Sequence, residues 1–150
     1  MAVLREDPYL QYNFVVDLGD GHTDGPQAGF SEMGALGMSA GVIEYRNGNE
    51  RVNAPRKMAG LNRMGDVTFK RGIIGSLDLH RWLAQTSCSG RSAQRTVTVS
   101  LLNEDRSIAA QTWRLHGALI VKHVSGPFHA LRDEVAVEEM VISFERLVIE

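Results

Sequence analysis

Residues 65–87, GDVTFKRGIIGSLDLHRWLAQTS, decide the fold. Their first part, Val67 to Lys70, alternates apolar and polar side chains with the period of a half-buried strand, and that period stops at Gly72 and Gly75. A strand hands over to a helix here. The hydroxyl of Ser76 is suited to accept from the unpaired N–H groups of a first helical turn, and Asp78 puts negative charge near the positive end of the helix dipole. Leu79, Trp82 and Leu83 then recur at i, i+3 and i+4, which predicts a short amphipathic helix over about residues 76–87. No other segment carries a helical period. The helix is therefore expected to pack on a sheet through Leu79, Trp82 and Leu83, with Trp82 as the largest anchor.

Upstream, Tyr12, Phe14, Val16 and Leu18 alternate with other residues as a first strand that ends at Gly19-Asp20-Gly21, where Asp-Gly favours a tight turn. The run 28–38 is interrupted by Gly29, Gly34 and Gly37, which predicts a bent strand. Residues 42–45 make a third short strand. Residues 46–63, RNGNERVNAPRKMAGLNR, are polar and turn-rich, without a sustained period, and read as one long projecting loop. Downstream of the helix, residues 88–95 form a polar linker. The clearest alternation in the chain follows, Val97, Val99 and Leu101 against Thr96, Thr98 and Ser100, and Asn103-Glu104-Asp105 turns it. Two more strands are expected over 113–121 and 134–149, with Gly126-Pro127 breaking the connection between them. A single domain spanning residues 1–150 results: mainly β, an antiparallel barrel or sandwich of about six or seven strands with one flanking helix.

With 16 basic and 18 acidic residues the net charge is −2, which excludes the strongly basic footprint of a dedicated nucleic-acid-binding domain. Neither a signal peptide nor an apolar span of about 18 residues is evident, so the chain is expected to be soluble, made in the cytoplasm and not inserted in a membrane. Cys88 is the only cysteine, which excludes an internal disulfide framework and a multi-thiolate metal site. In Thr86-Ser87-Cys88-Ser89-Gly90 its thiol is expected to be exposed and capable of an intermolecular disulfide.

Catalytic motifs fail on inspection. Gly60 and Gly65 have P-loop spacing, but Asp66 stands where the phosphate-binding lysine belongs. The run from Gly29 to Gly34 is one residue too long for a nucleophile elbow. None of the five histidines, His22, His80, His116, His123 and His129, is paired at i, i+4 on the helix. Asp17, Asp20 and Asp24 lack the spacing and closing glutamate of a calcium loop and read as a solvated turn. Trp82 and Trp113 sit on the apolar phase of their elements and read as core rather than as ligand-stacking rings. No catalytic residue, cofactor or metal is expected.

Charge is unevenly distributed. Residues 46–63 carry Arg46, Arg51, Arg56, Lys57 and Arg63 against Glu50 alone. Residues 131–150 carry Asp133, Glu134, Glu138, Glu139, Glu145 and Glu150 against Arg132 and Arg146. Two such regions either are simply solvated or serve association through unlike surfaces.

The segments DPYLQYNFVVDL (7–18), AGFSEMGAL (28–36), VIEYRNGNE (42–50), RKMAGLNRMGDVTFKRGI (56–73), SLDLHRWL (76–83), TVTVSLLNED (96–105) and EVAVEEMVISFERL (134–147) together resemble the tail tube protein family of contractile phages. That family takes in the inner tubes of extracellular contractile injection systems and, more remotely, the Hcp tube of type VI secretion. The resemblance runs nearly the length of the chain. Residues 22–25 and the linker 87–95 depart from the pattern.

The resemblance implies a structural subunit without catalysis. Its expected partners are copies of itself in stacked hexameric rings, a tail sheath outside, baseplate or initiator and terminator proteins at the ends, and tape measure protein, DNA or other cargo in the lumen. It also implies a place in the virion tail tube, assembled in the host cytoplasm. The alternatives are a tube initiator or baseplate-proximal paralogue, or a secreted Hcp-like effector carrier. A loop at the place of residues 46–63 reaches the adjacent ring in such proteins. Arg46, Asn47, Gly48, Asn49, Arg51, Arg56, Lys57 and Arg63 are therefore expected to meet Glu138, Glu139 or Glu145 of the neighbour.

Overall fold

The computed structural model describes residues 1–150. Nine strands and one α-helix follow in the order β1 (Phe14–Asp17), β2 (Phe30–Met33), β3 (Met38–Tyr45), β4 (Arg56–Met64), β5 (Val67–Gly72), α1 (Asp78–Ser89), β6 (Arg95–Leu102), β7 (Ala109–Ser125), β8 (Val137–Ser143) and β9 (Arg146–Ile149). The fold is mainly β and antiparallel, as the sequence predicts, with nine strands where six or seven are expected. Seven strands form one bent sheet in the order β1-β6-β7-β8-β5-β2, with β9 also paired to β7. The sheet does not close into a barrel, so β1 and β2 remain as open edges.

The 17-residue β7 is the spine. Its first part pairs with β6, and over Trp113–His116 also with β9; its last part, from Leu119 onward, pairs with β8. The bend falls between the two parts, at Gly117. There φ is +66°, a left-handed conformation that favours glycine, and a Cβ would press on the Glu145 side chain, 2.8 Å from Oε2. A register shift between Ile120 and Lys122 adds to the turn. Bending wraps the sheet around one core in which strand alternation is plain. Val67 and Phe69 of β5, Val97 and Val99 of β6, and Met140 and Ile142 of β8 all point inward. Trp113 packs half-buried at the rim of that core.

The helix α1 lies on β7. Leu79 and Trp82 are buried and Leu83 packs beside them, the face that the i, i+3, i+4 pattern predicts. Trp82 Nε1 donates to the Ala93 carbonyl at 2.8 Å, and the Arg95 guanidinium lies 4.5 Å over its ring. The helix starts two residues later than expected. Ser76 does not cap it, because its hydroxyl donates to Asp78 Oδ1 at 2.8 Å and meets the Asp78 N–H only at 3.4 Å. At the other end the helix continues through Cys88, which is exposed on its last turn rather than in a linker. No helix is long and apolar enough to cross a membrane.

Two further corrections concern strands. The expected single strand over 134–149 is two, because the chain turns a corner at Phe144 and Glu145, where the Glu145 N–H donates to the His116 carbonyl. The expected loop over 46–63 is a loop only as far as Pro55. From Arg56 the chain is strand β4, paired in register with β3 from Tyr45↔Arg56 to Met38↔Met64. Gly60 hides this strand from periodicity. It opposes a register shift at Gly41, where a Cβ on Gly60 would come within 3.1 Å of the Gly41 carbonyl oxygen. The β3–β4 hairpin pairs with nothing outside itself.

Candidate assembly interface

The hairpin holds its own tip. Arg46 donates from Nε to the Val52 carbonyl at 2.9 Å and from Nη2 to the Glu50 carbonyl at 2.8 Å. Glu50 Oε1 accepts from Asn47 Nδ2 at 3.0 Å and from Arg56 Nη2 at 2.7 Å, and Tyr45 donates its hydroxyl to Asn47 Oδ1. Arg46, Asn47 and Arg56 thus shape the tip around Glu50, and Arg56 is ion-paired with it. Gly48, Asn49, Arg51, Lys57 and Arg63 are exposed, and the three cations make no ion pair within the chain. The structure brings the expected basic residues together on one projecting element.

Glu138 is the clearest correction. It is 5% exposed, and its oxygens are held by Arg71 Nε at 2.6 Å and His123 Nε2 at 2.9 Å, so it cannot meet a neighbouring subunit. Glu139, the next residue along β8, is half-buried and opposite Lys70. Glu145 accepts from Gln94 Nε2 at 2.9 Å and lies against Gly117. The three carboxylates do not form one patch.

What charge reading missed is apolar surface. Both strands of the hairpin expose large side chains: Met38, Val42, Ile43 and Tyr45 on β3, Met58 and Leu61 on β4, with Val42 62% and Leu61 84% accessible. A two-stranded hairpin is marginal in water by itself, and large apolar side chains exposed on both of its faces mark an interaction element. The signal was present in the sequence as VIEY and KMAGL, but the polar residues between them obscured it.

Beneath the surface, a charged cluster that periodicity could have shown fixes the frame from which the hairpin projects. Arg71 continues the inward phase of Val67 and Phe69, and Glu138 that of Met140 and Ile142. Arg71 is wholly buried. It donates from Nη1 to the Gln27 carbonyl at 2.6 Å, and its two terminal nitrogens grip the Asp78 carboxylate at the start of α1. One guanidinium thereby joins β5, β8, α1 and the turn before β2. Burial would raise the pKa of the Asp78 carboxyl, but hydrogen bonds from Arg71 and Ser76 outweigh it and hold the group below the usual aspartate range. Burial likewise acts against the Arg71 charge, and its carboxylate partners raise its pKa instead.

At the N-terminus Arg5 makes two parallel bonds to Glu104, at 2.8 and 2.7 Å, and lies 3.7 Å over the Tyr9 ring, while the Val3 N–H donates to the Ala110 carbonyl. The bonds from Arg5 pull Glu104 down to about 2. This contact is formed in full above the ordinary glutamate range and is lost as pH falls through about 2. Carbon-detected NMR is expected to show Glu104 titrating near that value, and Arg5→Ala to return it to the ordinary range.

A bent antiparallel sheet with open edges, one flanking helix and a free-standing hairpin matches a known architecture. The family model of the T4-like virus tail tube protein gp19 matches residues 10–148. The chain belongs to this family. A chain of the PVC sheath–tube complex, an extracellular contractile injection system in its extended state, superposes with a TM-score of 0.81 at 26% identity, over 97% of this chain and 93% of that one. A chain of the anti-feeding prophage cap gives a TM-score of 0.81 at 23% identity, over 100% and 95%. Hcp1 from Flavobacterium johnsoniae shares the fold more distantly, with a TM-score of 0.56 at 14% identity, over 92% and 94%. No curated protein matches significantly. The tail tube family is structural, and this chain is a tube subunit of the contractile-tail type.

Proposed function

We propose that the chain closes into hexameric rings that stack as the hollow inner tube of a contractile tail or injection machine. In this reading it performs no catalysis. It templates the sheath outside, is bounded by terminator and baseplate proteins at the ends, and passes DNA or other cargo through its bore. The observation that carries the reading is the unsatisfied surface of the single subunit: two open sheet edges, β1 and β2, and a hairpin with exposed apolar side chains. Lateral contacts cover the edges and the hairpin reaches the adjacent ring. Cys88, exposed on α1, stands ready for an intermolecular disulfide, with the sheath as its expected partner.

Purified protein imaged in negative stain is expected to show striated rods; compact monomers at high concentration would reject the proposal. Because an exposed ion pair contributes only about 0–1 kcal/mol, the hairpin cations act through repetition around the ring and alongside the apolar contacts. Reversing the unpaired Arg51, Lys57 and Arg63 together is therefore expected to shorten the rods markedly while leaving the subunit folded, since Arg56 is held within the chain by Glu50. Full-length rods from that triple variant at physiological salt would remove the electrostatic part of the proposal.

A further inference from the structure

The half of the sheet formed by β2, β5, β8 and the end of β7 has two unlike ends. The hairpin leaves from one of them: β4 ends at Met64 just before β5 begins at Val67, and β3 follows β2. The bonds from the Gly34 N–H to the Thr68 carbonyl and from the Gly65 N–H to the Gly37 carbonyl tie its root there. At the other end β5 finishes at Gly72, β8 begins at Val137 and β7 runs out at Ser125. Two connections meet at that end. Residues 73–77 carry Ile73, Ile74 and Leu77, and residues 126–136 carry Phe128, Leu131 and Val135, all exposed, Leu131 by 91% and Val135 by 78%. The connections touch: the Ile73 N–H donates to the Ala136 carbonyl at 2.9 Å, and Val135 Cγ1 lies 3.7 Å from where a Cβ on Gly72 would stand.

Charge differs between the ends as well. The apolar end carries Asp133 and Glu134 against Arg132, and beside it Asp20, Asp24 and Asp78 line a cleft of about 450 Å³ with Gln27 and one cation, Arg95. The hairpin carries the unpaired Arg51, Lys57 and Arg63. Glu145, by contrast, follows Ser143 and so lies toward the same end of this half-sheet as the hairpin root, the wrong side for a head-to-tail contact.

We infer that the end formed by residues 73–77 and 126–136 is the seat for the β3–β4 hairpin of a second copy of this chain. The inference rests on the tube reading above and names the receiving surface. Each subunit presents an apolar, cationic element at one pole and an apolar, anionic surface at the other. Such a heterologous contact leaves a free hairpin and a free seat after every addition, so it grows without limit along one axis, as a tube does. It also gives the stack a polarity.

The test uses two full-length variants, a seat variant (Leu131→Asp with Val135→Asp) and a hairpin variant (Val42→Asp with Leu61→Asp). All four side chains are exposed, so melting temperatures are expected to match the wild type. Where the seat aspartates lower it, Leu131→Gln with Val135→Thr replaces them under the same readings. Electron microscopy and sedimentation velocity are expected to show rods for the wild type, single rings for either variant alone, and two-ring particles that grow no further when the variants are mixed. Mixing leaves one intact hairpin–seat junction and no second one. Long rods from the seat variant, or single rings from the mixture, overturn the inference and leave the tube reading standing. Absence of rods from the wild type overturns both.

Discussion

Arg71→Met is expected to destabilise the subunit by about 3–5 kcal/mol at neutral pH, because removing one member of a buried ion cluster leaves the others charged and unpaired. Asp78 would lose both of its guanidinium bonds, Glu138 would keep only His123, and the Gln27 carbonyl would lose its donor. Methionine approximates the length of the side chain, so the loss is chiefly of charge pairing and hydrogen bonding rather than of volume. Urea unfolding at pH 7 measures it; a loss below about 1 kcal/mol, the worth of an exposed pair, would mean that solvent reaches the cluster. Adding Asp78→Asn and Glu138→Gln is expected to recover part of the deficit, since neutral amides need not be paired with a cation.

Acid brings the two proteins closer in stability. In the wild type Asp78 is held below its ordinary range, so its contribution is present above that range and is lost as pH falls through the lowered value. Without Arg71, burial is the main remaining influence and favours the neutral acid. The variant is therefore expected to lose less stability on acidification than the wild type, and the gap between them to narrow from pH 7 toward pH 4. A gap constant with pH would show that the deficit does not come from the carboxylates.

Arg71 also shows how far the sequence could be read. Alternation in VTFKRG placed Val67 and Phe69 in the core, and the same phase continued to Arg71, but a charged residue there reads as the end of a strand unless its partners are known. Those partners, Asp78 and Glu138, come from a helix start and from a strand about 60 residues later, and no local pattern links them. Glu138 was misread for the same reason: as one acid among six it looked like surface charge, although Met140 and Ile142 share its inward phase. Strand β4 was missed because a free-standing hairpin buries neither face, so it has no reason to alternate. Elements that pack within the subunit were legible, whereas the β3–β4 hairpin, which pairs with nothing outside itself, reads as a loop beyond residue 46.

Trp82→Ala is the second substitution with a large expected effect, about 3–5 kcal/mol for truncating a fully buried tryptophan. Three losses combine there. The cavity left between α1 and β7 has rigid strand on one side, so it collapses poorly. The Ala93 carbonyl loses the indole N–H that it accepts at 2.8 Å, and Arg95 loses the ring beneath its guanidinium. Since each kcal/mol moves the midpoint of a domain this size by roughly 2–4 °C, a drop on the order of 10 °C is expected in calorimetry of the dissociated subunit. Trp82→Phe keeps most of the volume and forfeits the hydrogen bond, so it isolates that component and is expected to cost about 1–3 kcal/mol. The hairpin and the seat at residues 73–77 and 126–136 do not include Trp82, but α1 starts immediately after the first of these connections. Loosening the helix is thus expected to blur the seat before the hairpin. Hydrogen exchange resolved by residue would show it as faster exchange at the Ile73 amide, which is bonded to Ala136, than at the amides paired between β3 and β4. Equal acceleration at both sites would mean that the subunit opens as one cooperative unit and that the helix does not specifically brace the receiving end.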